Sequence, residues 1–281
     1  MLDLLWDIFL DALLDTLKLL PFLFLAYLLM EAAEHHTSGK MESRLKSMGR
    51  LGPLVGAVLG CVPQCGFSAS ASNLYAAGLI SRGTLLAVFL STSDEALPLM
   101  LGSAEGRRMI LPLLGWKVLV GLIAGFAVDF CIRKWGKPRE LYDLCENCGC
   151  EEEGGVLKPA IWHTTHILLF IFVVNLVLGG AVTFLGEERI ASLLLSGSVL
   201  QPFAAALIGL IPNCAASVIL TQLYLAGSLS FGAALAGLCS GAGIGVAVLL
   251  RMNRSKRENI GIVATLYLVS AAVGVILQFC L

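Results

Sequence analysis

Gly60-Cys61-Val62-Pro63-Gln64-Cys65-Gly66-Phe67-Ser68 decides the fold, because the chain writes this stretch a second time. At an offset of 149 residues it returns, without a gap, as Gly209-Leu210-Ile211-Pro212-Asn213-Cys214-Ala215-Ala216-Ser217. Between Gly60 and Gly83, ten of 24 positions are identical to their partners from Gly209 to Gly232. Pro63 matches Pro212, Cys65 matches Cys214, Leu74-Tyr75 matches Leu223-Tyr224, and Gly78, Ser81 and Gly83 match Gly227, Ser230 and Gly232. The offset still holds where Phe130-Cys131 meets Phe279-Cys280. Two apolar halves interrupted by proline and glycine at corresponding places are the pattern of a secondary transporter, whose broken helices meet near the bilayer midplane and form the binding site.

Working outward, the composition is that of an integral membrane protein. Hydrophobic residues make up 57 % of the chain and charged residues 14 %, against roughly 25 % charged in soluble domains. Apolar runs cover 19–33, 53–80, 84–101, 109–131, 160–185, 193–227, 231–250 and 259–280, and a span needs about 20 residues. The expected fold is therefore all-α and polytopic, with a first repeat at 1–132, a linker at 133–158 and a second repeat at 159–281. A net charge of −1 argues against a nucleic-acid partner. The first residues carry Asp and no Lys or Arg, unlike a cleaved signal. Asp3, Asp7, Asp11 and Asp15 recur every four residues along one side of a helix. They read as an interfacial amphipathic turn before the first span, or as a solvated face.

Lys and Arg set the orientation. The connection 37–50, the linker and 251–258 are basic, whereas 186–192 carries Glu187, Glu188 and a single Arg189. Placing the basic segments in the cytoplasm leaves 186–192 and both termini outside, although Arg107 and Arg108 then fall on the outer side against the rule. The halves become oppositely oriented, which requires an odd number of crossings in each. Residues 53–80 are too long for one span and too short for two, so they read as a re-entrant hairpin or broken helix, as do 202–227. Backbone of that kind is tolerated at membrane depth where protein or a water-filled cavity covers it.

The residues that could carry chemistry fall into a few groups. Cys65 and Cys214, each after an amide (Gln64 and Asn213), occupy equivalent places in the two breaks, where thiolate would suit a soft ion; a buried Cys also simply packs. Ser93, Asp94 and Glu95 lie inside an apolar run, and an intramembrane acid marks a functional site by default. The second repeat has Ser240-Gly241-Ala242-Gly243 there, with no acid. Asn73 and Gln222 form a matched pair that could line a site or join helices. Glu31, Glu34 and His35 share one helical face, and His163 and His166 stand one turn apart with Asn175 deeper in the run; each group suits a gate, a metal vestibule or interfacial anchoring. Cys145, Cys148 and Cys150 make a CxxCxC cluster beside acids in the linker, short of the four ligands of a closed zinc site.

The string from Gly60 through Phe67-Ser68, Leu74-Tyr75-Ala76-Ala77-Gly78 and Ser91-Thr92-Ser93-Asp94-Glu95-Ala96-Leu97-Pro98 resembles a prokaryotic family of predicted heavy-metal exporters. Its members are labelled arsenic efflux protein or manganese transporter. The chain is more distantly similar to ArsP-type permeases, which export trivalent organoarsenicals using membrane cysteines. The resemblance implies a multi-pass protein of the inner (plasma) membrane that moves a metal or metalloid ion through the lipid bilayer. It makes Cys61, Cys65, Asp94 and Glu95 site candidates, although Leu210 stands where a partner for Cys61 would be.

Together these readings give an exporter of a toxic, thiophilic metal or metalloid of the arsenic type. Cys65 and Cys214 would be soft ligands, and Asp94 and Glu95 would supply charge or carry the coupling proton. No GxxxxGK[ST] motif is present, so energy would come from an ion gradient, with H+ the expected coupling ion, or from a partner ATPase; no cofactor and no enzymatic activity are called for, and a homodimer is allowed. The rival readings are a Mn2+ or other divalent-cation transporter using oxygen ligands, an organic-anion carrier using half-helix N-termini, and a membrane-embedded enzyme.

Overall fold

The computed structural model describes residues 2–35, 51–93, 96–135, 157–185, 194 and 198–280. The described residues form helices and no strand: α1 (Leu2–His35), α2 (Gly52–Gly60), α3 (Cys65–Ala76), α4 (Arg82–Ser91), α5 (Ala96–Leu101), α6 (Ala104–Trp135), α7 (Leu157–Leu185), α8 (Gln201–Gly209), α9 (Cys214–Leu225), α10 (Phe231–Ser240), α11 (Gly245–Met252) and α12 (Lys256–Cys280). Adding 149 to the bounds of α2, α3 and α4 gives the bounds of α8, α9 and α10.

Local chemistry explains why the two halves repeat. Pro53 and Pro202 stand in the first turns of α2 and α8, where a missing N–H costs nothing. Pro63 and Pro212 then stop the chain from continuing helically. Around each, the next amide closes a tight turn: Gln64 N–H donates to the Val62 carbonyl and Asn213 N–H to the Ile211 carbonyl, both at 2.7 Å. The shared Leu-Tyr-x-Ala-Gly string builds the ends of α3 and α9. Gly78 and Gly227 adopt φ of 79° and 74°, and Leu79 and Ser228 donate back to Leu74 and Leu223 at 2.9 and 3.0 Å. This Schellman turn needs the left-handed residue that glycine supplies most cheaply. Ser81 and Ser230 cap α4 and α10, accepting from Thr84 N–H at 3.1 Å and Ala233 N–H at 3.2 Å.

Register gives the path of the chain. A Cβ on Gly52 would meet Thr84 and one on Gly60 would meet Ser91, so α2 and α4 run parallel. The chain therefore returns along α3 to the level where α2 began, and the α2–α3 pair is a re-entrant hairpin. Gly125 lies beside Gly83 and Gly121 beside Ala87, so α6 runs antiparallel to α4. The second half repeats this packing, with α8 and α12 against α10. The two equivalent helices α1 and α7 lie antiparallel, with Phe9 edge-on to Phe172 and Tyr27 stacked on His163.

Five stretches among the described residues are long and apolar enough to cross a membrane: Arg82–Leu101, Gly106–Lys134, Ala160–Ala181, Phe231–Met252 and Lys256–Cys280. The first and fourth are 81 % and 89 % buried, against 28–33 % for the others. The α4–α5 and α10–α11 units, each interrupted near its middle, thus form the centre of the bundle. Across the halves α3 packs on α11 and α9 on α5, the reciprocal contact expected of a two-fold relation. Ser72 Oγ donates to the Gly245 carbonyl at 2.7 Å within this contact.

One sequence reading changes. The aspartates at the N-terminus do not form a separate turn; they belong to a helix unbroken from Leu2 to His35. Arg107 donates to the Leu101 carbonyl at 3.0 Å, at the C-terminal end of α5, where the helix dipole favours a cation.

Candidate functional site

The two breaks use their matched amides differently. Gln64 reaches outward, donating Nε2 to the Lys18 carbonyl of α1 at 2.9 Å. Asn213 turns inward on its own helix, accepting the Ala215 N–H at 2.7 Å as the cap of α9. Cys65 and Cys214 open α3 and α9, so each thiol is held at the first position of a half-helix. Both belong to one apolar cluster: Cys65 is buried within it beside Leu19, Leu23, Tyr27 and Ile244, and Cys214 packs at its edge.

A cavity of about 600 Å³ distinguishes them. It is lined by Asn213, Cys214, Ala215, Val218 and Ile219 of the second break and α9, by Asp11, Asp15 and Lys18 of α1, and by Asn175, Gly179 and Thr183 of α7. Cys65 and Gln64 do not line it. Lys18 pairs with Asp15 at 3.0 Å. The cavity therefore combines one thiol, several side-chain oxygens and two carboxylates, one of them paired with Lys18. Lys18 links the breaks, since its carbonyl holds Gln64 and its side chain shares the cavity with Asn213 and Cys214.

The other expected residues lie elsewhere. Ser93 is buried and donates to the Ser91 carbonyl at 3.1 Å. Asn73 is buried and accepts the Tyr27 hydroxyl at 3.3 Å, while its amide nitrogen has no partner; its match Gln222 is exposed. Asn73 thus joins helices and is not part of the cavity wall. Cys61 closes α2, donating to the Ala57 carbonyl. His163 stacks on Tyr27, and His166 Nδ1 lies 2.9 Å from the Trp162 carbonyl. Asp94, Glu95 and the linker cysteines Cys145, Cys148 and Cys150 lie outside the described residues. Among the described residues no three His, Cys, Asp or Glu side chains gather closely enough to hold a metal.

Two charged positions, Asp129 and Lys117, escaped the sequence reading, and Asp11 and Asp15, read there only as a helical face, line the cavity. Asp129, buried on α6, accepts Ser81 Oγ at 2.6 Å and Gly83 N–H at 2.8 Å, and so braces the start of α4. Lys117, with no exposed surface, donates from Nζ to the Leu238 carbonyl of the other half. The signal for Asp129 and Lys117 was present: each is an ionisable residue in the apolar run 109–131, and such residues are costly in hydrocarbon.

Residues 3–187, covering the first repeat, the linker and α7, match the model of the ArsP_2 family, described as "Putative, 10TM heavy-metal exporter". No curated protein and no solved structure matches the chain.

Proposed function

The chain belongs to this family of 10TM heavy-metal exporters, and from that membership we propose that it exports a thiophilic metal or metalloid in exchange for protons across the inner membrane. One observation carries the reading: the cavity sets Cys214 and Asn213 of the second break against Asp11 and Asp15 of α1. Thiolate selects soft ions. Carboxylates at a cleft raise the local concentration of cations.

The mechanism follows from the repeat. Antiparallel packing of the equivalent helices α1 and α7 supports inverted halves. With the basic loops inside, the cavity lies on the outer side, near the start of α1 and the end of α7. It is then an exit vestibule, in which Cys214 passes cargo toward water. Its counterpart at the first break would be lined by Gln64, Cys65, Ala69, Ser70, Ala160 and Thr164, at the offset of the present lining. That region is packed shut around Cys65. Rocking of one repeat against the other exchanges the two states, as in other inverted-repeat carriers.

Everted membrane vesicles test this with arsenite, Cd2+ and Mn2+ as separate probes under an imposed proton gradient. Thiophilic probes accumulate in wild-type vesicles, and both Cys214→Ser and Cys65→Ser lose most of that uptake. Equal uptake by wild type and both variants sinks the soft-ligand reading. Mn2+ export is the second reading, favoured by a lining in which Asp11, Asp15, Asn175, Thr183 and Asn213 outnumber the single thiol. In that case the serine variants keep Mn2+ uptake and Asp11→Asn with Asp15→Asn loses it.

A further inference from the structure

Side-chain bonds along α3 fix its register on α1. Gln64 Nε2 donates to the Lys18 carbonyl at 2.9 Å, Ser70 Oγ to the Phe22 carbonyl at 3.1 Å, and the Tyr27 hydroxyl to Asn73 Oδ1 at 3.3 Å. The two helices therefore run side by side in the same direction. The cavity touches α1 between Ile8 and Lys18. Tyr75, in the last turn of α3, consequently lies past Tyr27, on the side remote from the cavity.

There α3 is tied to the second half by two hydrogen bonds. Ser72 Oγ donates to the Gly245 carbonyl, at the start of α11, at 2.7 Å. The buried Tyr75 donates its hydroxyl to Glu258 Oε2, in the first turn of α12, at 3.1 Å. Ser72 and Tyr75 are three residues apart and share one face of α3. Glu258 is itself positioned. Asn253 Nδ2 donates to the same carboxylate oxygen at 3.5 Å, and to Asn259 Oδ1 at 2.6 Å, which braces the corner between α11 and α12.

The matched places in the second half are built differently. Thr221, the match of Ser72, donates to the Ser217 carbonyl of its own helix at 2.7 Å. Tyr224, the match of Tyr75, packs its ring on Phe231 of its own half. Met109 stands where a carboxylate equivalent to Glu258 would be. Among the described residues, neither Thr221 nor Tyr224 hydrogen-bonds to the first half.

We propose that Tyr75 and Glu258 form a one-sided latch, a proposal that rests on the rocking of the two repeats described above. Their hydrogen bond, with that of Ser72, holds the halves together on the side remote from the cavity and breaks when that side opens. A bond made in one state and lost in the other biases the equilibrium by its own worth. The latch therefore favours the state in which Cys214 faces the cavity and Cys65 is covered, before any cargo binds.

Alkylation by N-ethylmaleimide tests this on the purified full chain in detergent with no metal added, each cysteine being followed by peptide mass spectrometry. In wild type Cys214, which lines the cavity, reacts first, and Cys65, 9 % exposed, reacts slowly. Tyr75→Phe removes one oxygen and keeps the ring. It speeds Cys65 roughly tenfold, the weight of one hydrogen bond to a charged group, without speeding Cys214. Fraying at Tyr75 does not explain such a change, because Cys65 stands ten residues away at the other end of α3, about 15 Å along the helix. Glu258→Ala has the same effect, and the double variant goes no further than either alone, because both act through one bond. Tyr224→Phe leaves the Cys65 rate as in wild type.

The proposal is overturned if Tyr75→Phe leaves Cys65 as slow as in wild type, or if Tyr224→Phe speeds it equally. It is also overturned if the effects of Tyr75→Phe and Glu258→Ala add in full, or if the fully buried Cys239 speeds in step with Cys65, since that is general loosening. Should Glu258→Ala not fold, Tyr75→Phe decides alone. No metal enters these measurements, so absent metal uptake by wild-type vesicles sinks the export reading and not the latch, and an unchanged Cys65 rate sinks the latch and not the export reading.

Discussion

Gln64 Nε2 donates to the backbone carbonyl of Lys18 at 2.9 Å, fastening the first break to the helix whose side chains face the second. Lys18 lies just before Pro21, which has no N–H for the Leu17 carbonyl. The side-chain bond thus braces α1 where its own ladder is thinnest.

Gln64→Ala is expected to cost about 1 kcal/mol, the net worth of one such hydrogen bond. Gln64→Asn, a methylene shorter, does not recover it. A thermal melt of both variants against wild type checks this, and an undiminished melting temperature in Gln64→Asn shows that the reach to Lys18 is not what matters.

The two break cysteines should part company in their stability. Cys65→Ser places a hydroxyl in an apolar cluster and is expected to destabilise by roughly 1–3 kcal/mol. Cys214→Ser faces the cavity and should change stability little while weakening capture of a thiophilic ion. Arsenite or Cd2+ binding measured beside the melt separates the effects, and a destabilised Cys214→Ser with intact binding contradicts the assignment. The triple replacement of Cys145, Cys148 and Cys150 should leave vesicle uptake intact.

Close approach at the ends of α2 and α8 makes a symmetric prediction. A Cβ on Gly60 would come within 2.0 Å of Ser91 Oγ, and one on Gly209 within 2.0 Å of the Gly237 carbonyl. Gly60→Ala and Gly209→Ala should each cost about 1–3 kcal/mol by overpacking. Gly209→Ala should be the worse, because its backbone obstacle lies at 2.0 Å, whereas at Gly60 the 2.0 Å contact is a side chain that can rotate and the backbone oxygen of Val88 stands at 2.7 Å. Comparing the two melting temperatures tests the order.

Asp129 offers a charge test. It is buried and accepts from both Ser81 and Gly83, and hydrogen bonds to a charged group are worth roughly 1.5–3 kcal/mol each. Asp129→Asn should keep the geometry and lose part of this, while Asp129→Leu should lose more and loosen the start of α4. Hydrogen exchange at Gly83 and Thr84 reads the loosening directly, and unchanged protection in Asp129→Leu refutes the bracing role.

The repeat, the helical class and the positions of the breaks were legible in the residues alone. Those features are local: Pro63 and Pro212 remove a donor, Gly78 and Gly227 take a left-handed turn, and Ser81 and Ser230 cap the next helix. Each signal acts within a few residues, so matched strings produce matched elements. The aspartates of α1 show the limit, since their spacing gives a helical face but not what that face meets.

Tertiary structure decided what each break does. Cys65 and Cys214 share a position and a preceding amide, yet one is packed among Leu19, Leu23 and Ile244 while the other opens on the cavity. The difference arises from what each break packs against, which the closely matched local signals of the two stretches do not specify. Lys117 makes the point most sharply. A lysine within an apolar run is costly, but no local signal points to Leu238, 121 residues away in the other half, whose carbonyl accepts from it. Contact across that distance is set by the way α6 and α10 pack.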